Sequence, residues 1–268
     1  MKLSIVVSTQ PASFSALAYQ GRLEENILRI KQLGYDGVEL AVRDPKLLSL
    51  EQLVRCLRKN NLPVPAIGTG QAFGEEGLSF THPDQKIRRQ AVNRIVSQID
   101  LAGHLRAMVI IGLIRGKGIS EIGLGRAEAW LFDALTECAE ANKNIKLAIE
   151  PINRYETDFI NTVESGLRFL DRLRLDSVGL LLDTFHMNIE EPSILDSISL
   201  AKDRLFHVHV ADSNRWHPGA GHIDFQGIVD RLDRVGYQGF LSAEILPEPD
   251  PDTASLSTIQ FLRRWLPA

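Results

Sequence analysis

Four ionisable residues stand where apolar runs give out: Glu150 closing IKLAIE, Asp183 closing VGLLLD, His209 near the end of LFHVHV and Glu244 in GFLSAEI. A carboxylate at the end of a buried strand is costly unless something neutralises it. Side chains alternate along a strand. By that alternation Glu150 shares a face with Ala148, Asp183 with Leu181, His209 with His207 and Glu244 with Ser242, while Phe206, Val208 and Val210 fall on the opposite face. Three carboxylates and an imidazole then converge at one level. A divalent cation relieves their mutual repulsion. Oxygen and nitrogen donors without a thiolate favour Mn²⁺, Co²⁺ or Mg²⁺ over Zn²⁺, at bond lengths of about 2.0–2.2 Å. His186, three residues past Asp183 on an expected loop, faces what the cation holds.

These residues need a scaffold that gathers the ends of separate strands. The chain alternates strand-like and helix-like windows. LSIVVS is followed by GRLEENILRIKQLG, with helical spacing of Leu23, Ile27 and Ile30 and a C-terminal cap at Gly34. GVELAV precedes LSLEQLVRCLRKNN. VPAIGTG leads through a glycine-bearing loop to the long helix PDQKIRRQAVNRIVSQIDLAG, and AMVIIGL to a helix from Arg126 to Asn142. IKLAIE, VGLLLD, LFHVHV and GFLSAEI are each followed by a further helical window. Continuous apolar strands are expected when both faces of a parallel sheet are covered. Eight strand-and-helix units in about 250 residues predict a single (β/α)₈ TIM barrel over residues 1–268, with chemistry where strands pass into loops. The first strand-to-helix turn, STQPASFSALAYQG, lacks the G-x-G-x-x-G of a doubly wound dinucleotide-binding sheet. No organic cofactor is expected.

Composition narrows the classes. The 268 residues are 44% hydrophobic and carry a formal net charge of -4. No basic stretch stands out, which argues against a nucleic-acid partner. Cys56 and Cys138 lie far apart without zinc spacing and suit a reducing cytoplasm. MKLSIVVSTQ reads as a first strand rather than a secretory leader, and no apolar run approaches membrane-spanning length.

The stretches AIEPINRYET, LLDTFHMNIEE, HVHVADSNRWHPGAGHIDF and SAEI resemble the xylose-isomerase-like sugar isomerases and epimerases. Among these the chain looks most like the ketose 3-epimerases of the tagatose/psicose type. AIGTGQAFGEEGLSFTHPD and IEPINRYETDFINT look closest to 5-keto-L-gluconate epimerase, which acts on a keto-sugar acid. The resemblance spans essentially the whole chain. It implies Glu150, Asp183, His209 and Glu244 as ligands of one divalent metal ion and Glu150 and Glu244 as the acid/base pair. It also implies Glu156, His186 and Arg215 as substrate contacts, and a homo-oligomer, dimer or tetramer.

The implied reaction inverts the carbon next to the ketone of a ketose or keto-sugar acid. One carboxylate removes a proton to leave a cis-enediolate, and the other returns one to the opposite face. A substrate carboxylate would need a cation, for which Arg115 past strand four is the first candidate and Arg43 the second. Trp216, beside Arg215, is placed to cover the substrate. Aldose–ketose or hydroxypyruvate isomerisation would use the same residue types. An abasic-site endonuclease would need several metals, more histidines and a basic surface, and a non-catalytic sugar-binding barrel would leave the two carboxylates unexplained.

Overall fold

Short β-branched and leucine-rich runs, buried along nearly their whole length, form the inner wall of the protein. In the computed structural model, which describes residues 1–117 and 119–266, eight such strands lie parallel. They are β1 (Lys2–Ser8), β2 (Gly37–Ala41), β3 (Ala66–Gly68), β4 (Met108–Ile111), β5 (Leu147–Ile149), β6 (Val178–Asp183), β7 (Leu205–Val210) and β8 (Phe240–Ala243). Each pairs with the next, and β8 pairs back onto β1 through Lys2↔Phe240 to Ile5↔Ala243, so the sheet closes. A two-residue strand, Tyr19–Gln20, pairs in parallel alongside the C-terminal end of β1 at Val7 and Ser8. The fold is a single (β/α)₈ TIM barrel, as the alternation predicts.

Helices cover the outer face and supply most of the core. Leu23–Leu33 buries Ile27 and Ile30 and ends at Gly34, whose φ of 95° puts it in the left-handed region. Leu50–Asn60, Gln85–Leu105, Leu124–Ala141, Val163–Leu173, Ile194–Ala201, Phe225–Arg234 and Pro251–Leu262 follow their strands in turn. Side chains such as Ile5, Leu40, Ile111, Leu180 and Val208 point outward into this layer. Inside the barrel a small separate cluster of Ala66, Ile110, Ala148 and Leu181 fills the floor. Polar side chains above that plug are therefore held on a rigid base.

Three local features depart from the sequence reading. The glycine-bearing segment after β3 contains a helix, Gly70–Glu76, and His186 lies on a helix, Thr184–Glu190, rather than a loop. Phe206 does not share the outward face of Val208 and Val210. The β6–β7 register slips between Leu180 and Leu181, and Phe206 turns in against the floor cluster. Gly179 makes room for it, since a Cβ there would lie 2.7 Å from the Phe206 ring. No helix among the described residues is long and apolar enough to cross a membrane.

Candidate metal centre and active site

The four strand-end residues meet. One donor atom from each of Glu150, Asp183, His209 and Glu244 lies within 4.8 Å of the others. His209 Nδ1 stands 3.9 Å from Glu150 Oε1 and 4.0 Å from Glu244 Oε2. Asp183 caps the following helix by accepting the Phe185 N–H at Oδ1, which leaves Oδ2 turned toward the cluster. Asp183 Oδ2 and His209 Nδ1 are buried and have no hydrogen-bond partner among the described residues. Buried polar atoms rarely stay unsatisfied, and an oxygen and an imidazole nitrogen fit the donor set of a divalent cation.

A fifth residue, not anticipated from the sequence, supports this centre. Glu39 on β2 is fully buried and accepts from His207 Nε2 at 2.7 Å and from His209 Nε2 at 2.9 Å. With Nε2–H committed to Glu39, His209 can direct Nδ1 at a metal, the usual carboxylate–histidine–metal arrangement. Glu39, His207 and His209 also gather closely enough to suggest a second metal trio. Their 2.7 and 2.9 Å contacts are hydrogen bonds instead, because ligands on a common ion at about 2.1 Å stand about 3 Å or more apart. The available signal was a glutamate inside the apolar run GVELAV, on the inward face of its strand.

Charge balance in this nest is set by burial and by neighbours. Burial raises the Glu150 pKa to about 8 against the pull of His209, with Glu244 and Asp183 adding to the rise. Burial raises Glu244 too, tempered by His209 and Arg215. Burial works against charge on His209, yet Glu39, Glu244 and Glu150 outweigh it and hold its pKa up at about 10. Glu39 is lowered, since the two imidazoles overcome its own desolvation. Burial and the convergence of carboxylates thus favour positive charge in this cluster, whether as protons or as a cation. Gly112 matters here: a Cβ would come within 2.9 Å of Glu150 Oε2.

The expected substrate contacts line the same cavity, a space of about 220 Å³ above the floor. Arg215 bridges Glu156 at 3.1 Å and Glu244 at 3.0 Å. Its guanidinium lies 5.0 and 4.7 Å from the centroids of the Phe14 and Phe185 rings, and Nε has no hydrogen-bond partner among the described residues. Its backbone has a positive φ of 62°, held by the Leu246 N–H on its carbonyl and by the loop that Asp212 ties down. The buried Asp212 carboxylate accepts the N–H groups of Ser213, Gly219 and Ile223. His186 Nε2 lies 3.8 Å from both Asp183 and Glu150, and burial drives its pKa down to about 4, so the ring is neutral.

Arg115 does not reach the cavity, a correction to the sequence expectation. It is completely buried just past the end of β4 and donates to the carbonyls of Gly112, Phe159 and Ile160 at 3.0, 3.0 and 3.1 Å. Each of its three nitrogens is held by a main-chain carbonyl and the side chain has no exposed surface, so it is not available to a substrate carboxylate. Arg43 is also outside the cavity lining and faces Glu76 at 3.9 Å. Trp216 is partly exposed and outside the lining.

A closed parallel barrel whose strand ends gather three carboxylates and an imidazole fits the class of sugar isomerases and epimerases. The comparisons agree: the chain belongs to the xylose isomerase-like TIM barrel family, whose pattern matches residues 27–265. It is 30% identical over 235 residues to an L-ribulose 3-epimerase of Mesorhizobium japonicum, covering 86% of this chain and 78% of that protein. It is 29% identical to the 3-dehydro-D-guloside 4-epimerase of Escherichia coli, covering 91% and 97%. The D-psicose 3-epimerase of Clostridium cellulolyticum H10, solved with D-tagatose, superposes with a TM-score of 0.86 over 100% of both chains at 23% identity, a likeness of fold. The chain is a sugar epimerase of the ketose 3-epimerase group.

Proposed function

We propose that the protein is a divalent-metal-dependent epimerase that inverts the carbon adjacent to the carbonyl of a ketose. The observation that carries this is the pair of orphaned donors, Asp183 Oδ2 and His209 Nδ1, facing two carboxylates with raised proton affinity. Glu150, Asp183, His209 and Glu244 would hold the cation. When bound it supplies Lewis-acid polarisation of a ketose carbonyl and the neighbouring hydroxyl.

The chain's own groups move the proton. Glu150 follows β5 and Glu244 follows β8, so they reach a bound sugar from different sides. One carboxylate takes the proton from the carbon beside the ketone, and the other delivers its own to the opposite face of the enediolate. Their environments differ: Arg215 is hydrogen-bonded to Glu244 but not to Glu150. That asymmetry suits one carboxylate waiting as acid and one as base. Arg215 Nε and His186 offer polar contacts to sugar hydroxyls, and Phe14, Leu17 and Ile152 exclude water.

The lining also favours an uncharged ketose over a keto-sugar acid. Glu39, Glu75, Glu150, Glu156 and Glu244 border the cavity, and Arg215 is the one lysine or arginine among the described lining residues. It already bridges two carboxylates. A panel of neutral ketoses and keto-sugar acids, incubated in deuterated buffer with Mn²⁺, Co²⁺ or Mg²⁺ and after chelation, tests the reading by NMR. The expected result is metal-dependent deuterium at C3 of a neutral ketose with formation of its epimer. Exchange at C1 or C2 with aldose formation would establish the isomerase reaction, and metal-independent turnover would remove the metal centre.

A further inference from the structure

We propose that Asn153 is a positioning residue that fixes His186 as the Nε2–H tautomer, so that His186 meets the sugar as a hydrogen-bond donor and never as an acceptor. The inference rests on the reading of this cavity as the sugar site. It starts from a buried amide whose orientation is settled by the main chain. The Tyr155 N–H, which can only donate, points at Asn153 Oδ1 from 3.0 Å. Oxygen must therefore occupy that position, and the Asn153 amino group faces the other way.

That amino group has two hydrogens and two neighbours. Glu156 Oε1 lies 2.9 Å away and His186 Nδ1 lies 2.8 Å away. The carboxylate can only accept. At 2.8 Å a proton on Nδ1 would meet an amide proton head on, so Nδ1 must present its lone pair. Among the described residues no other acceptor draws a proton onto Nδ1, because its approach to Glu156 Oε1 is 4.0 Å, too long for a hydrogen bond. The ring proton is left on Nε2, the atom turned toward Asp183 and Glu150. Asn153 and His186 are both almost wholly buried, so water does not compete for these bonds.

Glu156 and Arg215 complete the chain. Glu156 Oε1 accepts from Asn153 and from Arg215, which in turn donates to Glu244. The amide thus couples the orientation of His186 to the arginine that steadies a catalytic carboxylate. The consequence is chemical. A donor at His186 stabilises negative charge developing on a sugar oxygen, whereas a lone pair there would compete for the hydroxyl proton.

The test is the ring-nitrogen NMR spectrum of the ¹⁵N-histidine-labelled protein, recorded with Mg²⁺ and after chelation, with His186 assigned by its loss in His186→Gln. The expected spectrum has a protonated, pyrrole-type Nε2 and an unprotonated, pyridine-type Nδ1 in both states. Asn153→Asp places an acceptor opposite Nδ1 and should put a proton there, with a loss of kcat/KM of about 10–100-fold, the worth of one hydrogen bond to a charged oxygen. Wild-type protein with a protonated Nδ1 would overturn the proposal without any variant. An Asn153→Asp protein, folded by circular dichroism, that keeps the wild-type His186 pattern would overturn the role of Asn153. Unimpaired turnover in His186→Ala would overturn the donor role at the sugar. Absence of epimerisation in the wild type bears on the proposed function instead, and the spectrum separates the two.

Discussion

Replacing Arg115 with methionine separates a substrate contact from a structural one. Methionine keeps much of the length and volume and removes the five N–H donors. The wild-type guanidinium makes three bonds to buried carbonyls, at 3.0, 3.0 and 3.1 Å. A hydrogen bond from a charged donor contributes about 1.5–3 kcal/mol, so three give about 4.5–9 kcal/mol. Burial offsets part of this: it lowers the Arg115 pKa to about 10, against the pull of Glu150 and Glu156. A fall of that size is worth about 3 kcal/mol. The variant should therefore lose about 2–6 kcal/mol of stability, and at about 2–4 °C per kcal/mol for a chain near this size its Tm should fall by at least about 4 °C. The strained Ile160, a β-branched residue at φ 56°, loses a donor on its carbonyl and should relax, loosening the Glu150–Thr162 segment. Calorimetry and parallel kinetics on a neutral ketose and a keto-sugar acid read the two sides. Activity should fall similarly on both. An unchanged Tm with a rise in KM confined to the keto acid would refute the reasoning and restore Arg115 to the substrate.

Further outcomes follow from the centre itself. Glu150→Gln and Glu244→Gln should each lower C3 deuterium exchange by about 10²–10⁴-fold with little change in Tm, checked by NMR and thermal melts. Glu39→Gln cannot accept from both His207 and His209. It should lower the metal-free Tm, and fewer protons should be released when Mn²⁺ binds, as read by calorimetry in buffers of different ionisation enthalpy. The metal-free protein should lose stability as pH rises from about 6.5 to about 8. Glu150 and His209 both have folded pKa values raised above their ordinary ones, to about 8 and about 10, so the folded state holds more protons in that window. A saturating divalent cation should remove this slope, and a metal-free Tm rising across the window would contradict the assigned charge states.

The barrel was legible because its strands are continuous apolar runs at regular spacing, and the convergence of Glu150, Asp183, His209 and Glu244 was legible because each late run closes on an ionisable residue on the inward face. Pattern reasoning fails where a side chain's role depends on what lies across the barrel. Glu39 sits near the middle of its strand rather than at its end, and its partners are His207 and His209, some 170 positions along the chain. Arg115 has the residue type and strand-end position of an anion contact. Only the fold of the Glu150–Thr162 segment, which returns the Phe159 and Ile160 carbonyls over it, turns its donors inward. Phe206 obeys alternation until a register slip, which local sequence does not announce beyond the glycine opposite it. These residues are linked in what they do: Glu39 orients an imidazole, Arg115 anchors the segment that bears Glu150, and Phe206 packs against the floor cluster of the barrel. The residues proposed to touch metal and sugar announce themselves by type and position along the chain. Those that hold them in place are defined by partners distant in sequence, so the supporting shell emerges only when the barrel closes.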